Sequence, residues 1–161
     1  MEELILTRIS KADRYAELFP QIQHLIDGEK NLIANLANTA AALHQAFPNL
    51  WTGWYLVDRN ELVLGPFQGP VACTRIPYGK GVCGAAWQRM ETLVVPDVEL
   101  FPGHIACSSL SRSEIVVPVY MDEKVVAVLD LDSAERNAFD SVDANWLEKI
   151  CALLAVQFAS L

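Results

Sequence analysis

The chain has 161 residues, 52% hydrophobic and 20% charged, apolar enough to fill the core of one domain and too apolar for an intrinsically disordered segment. Twelve Lys and Arg against 20 Asp and Glu leave a formal charge of −8, so the cationic footprint that nucleic acid and anionic membrane surfaces require is missing. No apolar run approaches the roughly 20 residues that span a bilayer, and Met1-Glu2-Glu3 lacks the basic start of a signal peptide, so a cytoplasmic protein is expected.

Ser10 followed by Asp13 resembles a capping box. Beyond it Tyr15, Leu18, Phe19, Ile22, Leu25 and Ile26 recur at helical spacing until Asp27-Gly28 breaks the pattern. A second helix carries Leu32, Ile33, Leu36, Ala40, Leu43 and Phe47 on one stripe, and Pro48 closes it. Strands are then predicted at Trp51 to Asp58, Glu61 to Leu64 and Ala72 to Ile76, the first two joined at Arg59-Asn60. A short helix over Val82 to Met90 and a strand over Thr92 to Val95 precede a loop from Pro96 to about Arg112. Two strong strands, Ile115 to Tyr120 and Lys124 to Asp132, lead to a terminal helix from about Val142 to Ala159. Helices at both ends around hairpin-linked strands predict an α+β fold, a central antiparallel sheet flanked by the N- and C-terminal helices. No repeat or Gly/Ser-rich linker divides the chain, so residues 1–161 are expected to form one domain.

Four cysteines in a cytoplasmic chain point toward catalytic or metal roles more than toward a disulfide framework. Cys151 shares a helical stripe with Leu147, Leu154 and Phe158 and reads as a small buried hydrophobe. Cys73, Cys83 and Cys107 each lie beside loop signals. Paired Cys-x2–4-Cys knuckles are absent, and only His104-x2-Cys107 has metal-like spacing, so no metal is expected. His104 is also too near Cys107 in sequence to suggest a Cys/His hydrolase. Thiol redox chemistry remains: one exposed thiolate is oxidised to a sulfenic acid, and a neighbouring thiol resolves it to a disulfide. Three unrelated buried thiols are the open alternative.

Gly79-Lys80-Gly81-Val82-Cys83-Gly84 matches G-x-G-x-x-G but lacks the preceding parallel strand and the acidic residue about 20 positions on that a dinucleotide site needs. The glycines are instead expected to permit a tight turn that presents Cys83. Asp130 and Asp132 interrupt an apolar strand with period two and so share a face. The connection around Asp122-Glu123 lacks the Gly or Asn of a two-residue turn, so a three-residue connection, Met121 to Glu123, is expected. It would set Glu114 opposite Asp130, whereas a two-residue turn would send Glu114 to the other face. Clustered carboxyls would share a proton, bind an ammonium group and protonate an oxyanion; solvated strand ends are the alternative. Trp51, Gly53 and Tyr55 share a face on which Gly53 would leave a gap between two aromatic walls, suited to a thioether methyl. Core packing explains the same pattern.

Together these residues resemble the free methionine-(R)-sulfoxide reductase family, whose members are single GAF domains. The resemblance covers nearly the whole chain and is densest from Gly65 to Asp132. It rests on Gly65-Pro66-Phe67-Gln68-Gly69-Pro70, Cys73-Thr74-Arg75-Ile76, the glycine cluster, His104-Ile105-Ala106-Cys107, Ser111-Arg112-Ser113-Glu114-Ile115-Val116-Val117-Pro118 and Leu129-Asp130-Leu131-Asp132-Ser133. It implies Cys107 as the nucleophile on the sulfoxide sulfur, Cys73 as the main resolving thiol and Cys83 as a second. It implies Glu114, Asp130 and Asp132 as the acidic substrate site, and Trp51 and Tyr55 as the aromatic pocket. No cofactor is implied. A homodimer reduced by thioredoxin is. A GAF module that senses a small ligand without chemistry is the rival reading, separable by assaying turnover.

Overall fold

A computed structural model describes residues 3–7, 10–105 and 108–160. The chain runs α1 (Lys11–Ile26), α2 (Leu32–Ala46), β1 (Trp51–Asp58), β2 (Glu61–Gln68), β3 (Arg75–Pro77), α3 (Gly81–Arg89), β4 (Leu93–Val95), β5 (Ser113–Met121), β6 (Lys124–Ser133) and α4 (Ser141–Ala155). Short 3-10 helices occupy Val98–Leu100 and Val156–Ser160. The six strands pair antiparallel in the order β3-β2-β1-β6-β5-β4. This is the α+β arrangement expected.

Period-two alternation along β1, β5 and β6 divides the core between the two faces of the sheet. Trp54, Ile115, Val117, Val119, Ala127, Leu129 and Leu131 face α1, α2 and α4. Trp51, Tyr55, Val116 and Val128 face α3 and its flanking loops. Each fully buried Leu-sized side chain on the first face contributes about 1.5–3 kcal/mol. That face makes the structural core and leaves the second free to carry polar groups.

Local signals explain most element boundaries. Ser10 caps α1, its hydroxyl oxygen accepting from the Asp13 amide at 3.2 Å while the hydroxyl donates to the Asp13 carboxylate at 2.7 Å. Leu32, Leu36, Ala40 and Leu43 form the buried stripe of α2, but Ile33 is 52% exposed and falls off it. The third strand is shorter than expected, Arg75–Pro77 rather than Ala72 to Ile76, which leaves Cys73 on a loop. The second is longer, continuing through Gly65-Pro66 to Gln68. Pro66 lies beyond the last β3 partner and at the register break with β1, where a missing N–H is tolerated. The terminal helix tightens to 3-10 geometry at Val156 instead of running on to Ala159.

The β5–β6 hairpin corrects one expectation and keeps its consequence. Met121 pairs with Lys124, so the connection is the two-residue turn Asp122-Glu123. Both residues are left-handed, φ 48° and 62°, as a type I′ turn requires even without glycine. Such a turn alone would have turned Glu114 away. A bulge restores it: Val119 pairs with Ala127 and Tyr120 with Val125, leaving Val126 as the extra residue. Glu114 therefore lies opposite Asp132, and Val116 rather than Glu114 lies opposite Asp130. All three carboxyls share the face toward α3.

Candidate active site

Glu114 and Asp130 are each only 6% exposed, and Asp132 is half-buried. Together with Trp51, Tyr55 and Cys83 they line a cavity of about 550 Å³, its open mouth included. Burial, then repulsion from Asp130 and Asp132, pushes the Glu114 carboxyl well above the ordinary range. Burial, then Asp132, does the same to Asp130. One oxygen of each lies within 4.8 Å of the other, so burial and mutual repulsion favour a single proton held between the two carboxyls. Asp132 is pushed up to about 6 by burial, opposed by a hydrogen bond donated by the Ser111 hydroxyl. Asp130 Oδ1 is buried with no hydrogen-bond partner among the described residues. A cavity floor with a bound proton and an unused acceptor can take a cation and act as a general acid.

Cys83 sits in the first turn of α3, placed there by the glycines around it. Gly81 is left-handed at φ 62°, and a Cβ on Gly84 would lie 2.7 Å from the Pro77 carbonyl oxygen, so helix and strand can approach this closely only with glycine. No strand pair is parallel among the described residues, which removes the dinucleotide reading of this motif. The Cys83 thiol donates to Glu114 Oε1 at 3.9 Å and also bonds Asp130. Burial, then the carboxyls, pushes it well above the ordinary thiol range. Cys83 and Cys151 are free thiols, whereas Cys73 is disulfide-bonded. Cys151 is 2% exposed, its sulfur 3.9 Å from the Val117 carbonyl oxygen, in keeping with a packing role.

Trp51 and Tyr55 line the cavity, but not as two walls around a gap. The Trp51 indole lies over Gly53: a Cβ there would meet Trp51 Cη2 and Phe67 Cβ, each at 2.4 Å. The glycine makes room for the ring itself, which stacks on Phe67 at 5.4 Å and on Tyr55 at 5.8 Å. Hydrogen bonds then tie both aromatics to the loop before β3. Trp51 Nε1 donates to the Pro70 carbonyl at 3.1 Å, and the Tyr55 hydroxyl donates to the Cys73 carbonyl at 2.9 Å. Cys73 itself is half-buried beside the cavity, on the loop that Tyr55 anchors. Cys107 lies outside the described residues. Ile105 and Ser108, on either side of it in sequence, both line the cavity.

Two further polar groups join the site, both from stretches that carry the family resemblance but neither assigned a role there by periodicity or spacing. Ser111 bonds Asp132, and His104 Nε2 lies 3.8 Å from Glu114 Oε2 with its imidazole pushed toward the neutral form by burial. Both come from the long loop that joins β4 to β5, where no periodicity predicts which side chains turn inward.

The model of the GAF domain family matches residues 29–158. GAF domain-containing protein A of Dictyostelium discoideum is 58% identical over 154 residues, covering 95% of this chain and 98% of that one. Free methionine-R-sulfoxide reductase of Escherichia coli is 42% identical over 147 residues, covering 91% and 89%. Among solved structures, free methionine-R-sulfoxide reductase from Neisseria meningitidis, in complex with its substrate, superposes with a TM-score of 0.97 at 51% identity, covering 99% of this chain and 97% of that one. Agreement of fold, length and sequence on this scale means that the chain belongs to the GAF domain family, within the group of the free methionine-R-sulfoxide reductases.

Proposed function

We propose that this chain reduces free L-methionine (R)-sulfoxide to methionine, with Cys107 as the attacking thiol. The observation that carries the reading is the acidic floor, buried Glu114 and Asp130 with half-buried Asp132, in a cavity lined by Ile105 and Ser108 on either side of the Cys107 segment. Named relatives and a substrate-bound structural neighbour support the substrate class. An α-ammonium group would meet the free Asp130 oxygen and offset one negative charge. A peptide-linked methionine sulfoxide lacks that ammonium and should be a poor substrate.

The Cys107 sulfur attacks the sulfoxide sulfur while the proton shared by Glu114 and Asp130 passes to the sulfoxide oxygen. Methionine leaves with its sulfur reduced by two electrons, and the oxygen stays on Cys107 as a sulfenic acid. The Cys73 thiol then attacks the Cys107 sulfur, water departs, and a disulfide forms between the two. Thioredoxin exchanges its dithiol for that disulfide and restores both thiols. Cys83 would serve as a second resolving thiol only by leaving its carboxyl partners. A homodimer is part of the same proposal. Among the described residues no helix is long and apolar enough to cross a membrane.

On this reading Cys107 faces the acidic floor, whose charges would oppose thiolate formation, so the thiol is activated mainly once an ammonium-bearing substrate is bound. Alkylation of Cys107 by iodoacetamide that is already fast without substrate, and unchanged on adding it, would contradict this. The activity itself is tested by coupling the chain to thioredoxin, thioredoxin reductase and NADPH with each epimer of free methionine sulfoxide. Oxidation of NADPH with the R epimer alone is expected. Binding of methionine sulfoxide without turnover would make the chain a ligand-sensing module.

A further inference from the structure

We propose that Cys83, Glu114 and Asp130 form a binding site for a single thiophilic divalent cation of the zinc and cadmium class. One donor atom from each lies within 4.8 Å of the other two, and all three residues are buried. The Cys83 sulfur and Glu114 Oε1 are 3.9 Å apart. Ligand atoms bound tetrahedrally at the usual zinc–sulfur and zinc–oxygen lengths stand roughly 3.5 Å apart, so closing the set around an ion asks only for small side-chain movements. The second observation is Asp130 Oδ1, a buried oxygen aimed into the cavity with no hydrogen-bond partner among the described residues. Neither Glu114 nor Asp130 is paired with a Lys or Arg among those residues. Such an arrangement lacks positive charge where a cation would supply it.

The donor set selects the ion. Magnesium and calcium prefer all-oxygen shells, whereas one thiolate with two carboxylates suits a borderline-soft ion. Three protein ligands leave the fourth position open toward the cavity for water, the pattern of an accessible rather than a closed structural site. His104, 3.8 Å from the far oxygen of Glu114, stands outside the three-residue group and lines the same cavity. Sequence spacing hides the site, because residues 83, 114 and 130 come from a helix and two strands with no knuckle between them. The cation would be held whether or not the chain turns over a sulfoxide. It would also occupy the oxygens proposed above for the substrate ammonium.

The test is a Cd²⁺ titration of the full chain, reduced and desalted, followed by the ultraviolet thiolate-to-cadmium charge-transfer absorption. The expected band saturates at one equivalent in the unmodified protein and in the Cys73→Ser and Cys107→Ser variants. It disappears in Cys83→Ser, and the affinity falls at least about tenfold in Asp130→Asn, with circular dichroism confirming that both variants are folded. Survival of the band in Cys83→Ser, its loss in Cys107→Ser, or unchanged affinity in Asp130→Asn would overturn the proposal.

Discussion

Replacing Asp132 with Asn should make the protein more stable and less active at once. The side chain keeps its shape and can still accept the Ser111 hydroxyl, so the change is confined to charge. A carboxyl that titrates at about 6 in the folded chain and at its ordinary 3.8 when unfolded costs the fold about 3 kcal/mol once it is ionised in both states. The sign follows from which state loses its proton first. Below about pH 4 both states hold the proton and there is no penalty. Between about pH 4 and pH 6 the unfolded chain ionises first, so stability falls as pH rises. Above that window the penalty is complete. Asp132→Asn removes it, so urea denaturation at pH 8 and fixed protein concentration should show a gain of about 2–3 kcal/mol. For a chain of this size the same gain raises Tm by roughly 5–10 °C. At pH 4 the two proteins should unfold alike, while at pH 8 the variant should show a higher KM for the free sulfoxide. A loss of stability at pH 8, or a gain equally large at pH 4, would refute the assignment of Asp132 as a charge held at the expense of the fold.

The remaining expectations concern the cavity wall, the thiols and the substrate. Gly53→Ala puts a methyl 2.4 Å from Trp51 Cη2, so the indole must move; a loss of about 1–3 kcal/mol in thermal or urea unfolding, with a raised KM, is expected. Unchanged KM in that variant would mean that Trp51 does not shape the substrate site. Cys151→Ser, in the helical core and away from the cavity, should leave kcat within about twofold in the coupled assay while lowering stability by about 1 kcal/mol through its buried hydroxyl. N-acetyl methionine sulfoxide, which cannot present an ammonium to Asp130, should show kcat/KM reduced by at least about a hundredfold, the scale of a lost buried charge pair of roughly 3 kcal/mol. Equal turnover of the acetylated and free forms would remove the acidic floor from substrate recognition.

How far this site can be read from sequence depends on which interactions are local. Helix starts and stops are local, and Ser10, Gly28 and Pro48 mark them. Period two is also local, so Asp130 and Asp132 could be placed together. Whether Glu114 joined them depended on hairpin register, which the turn sets only in part. The two-residue Asp122-Glu123 turn ran against the composition rule, and the Val126 bulge reversed its effect. The correct face thus came from two compensating departures, neither visible in the residues themselves. Gly53 shows the opposite limit. A missing side chain signals that something approaches closely, and here it is the adjacent Trp51 ring rather than a ligand. Ser111 and His104 stand in stretches that the resemblance marks, but their loop has no repeating pattern, so only tertiary packing decides that they point at carboxyls.

A single turnover without any reductant puts the pairing of Cys107 with Cys73 to trial. Fully reduced protein is mixed with excess free L-methionine (R)-sulfoxide, quenched by alkylation, and mapped by mass spectrometry. One methionine per chain, two thiols lost, and a peptide joining Cys107 to Cys73 with Cys83 and Cys151 alkylated is the predicted result. No methionine, or a Cys107 that remains alkylatable afterwards, would contradict it.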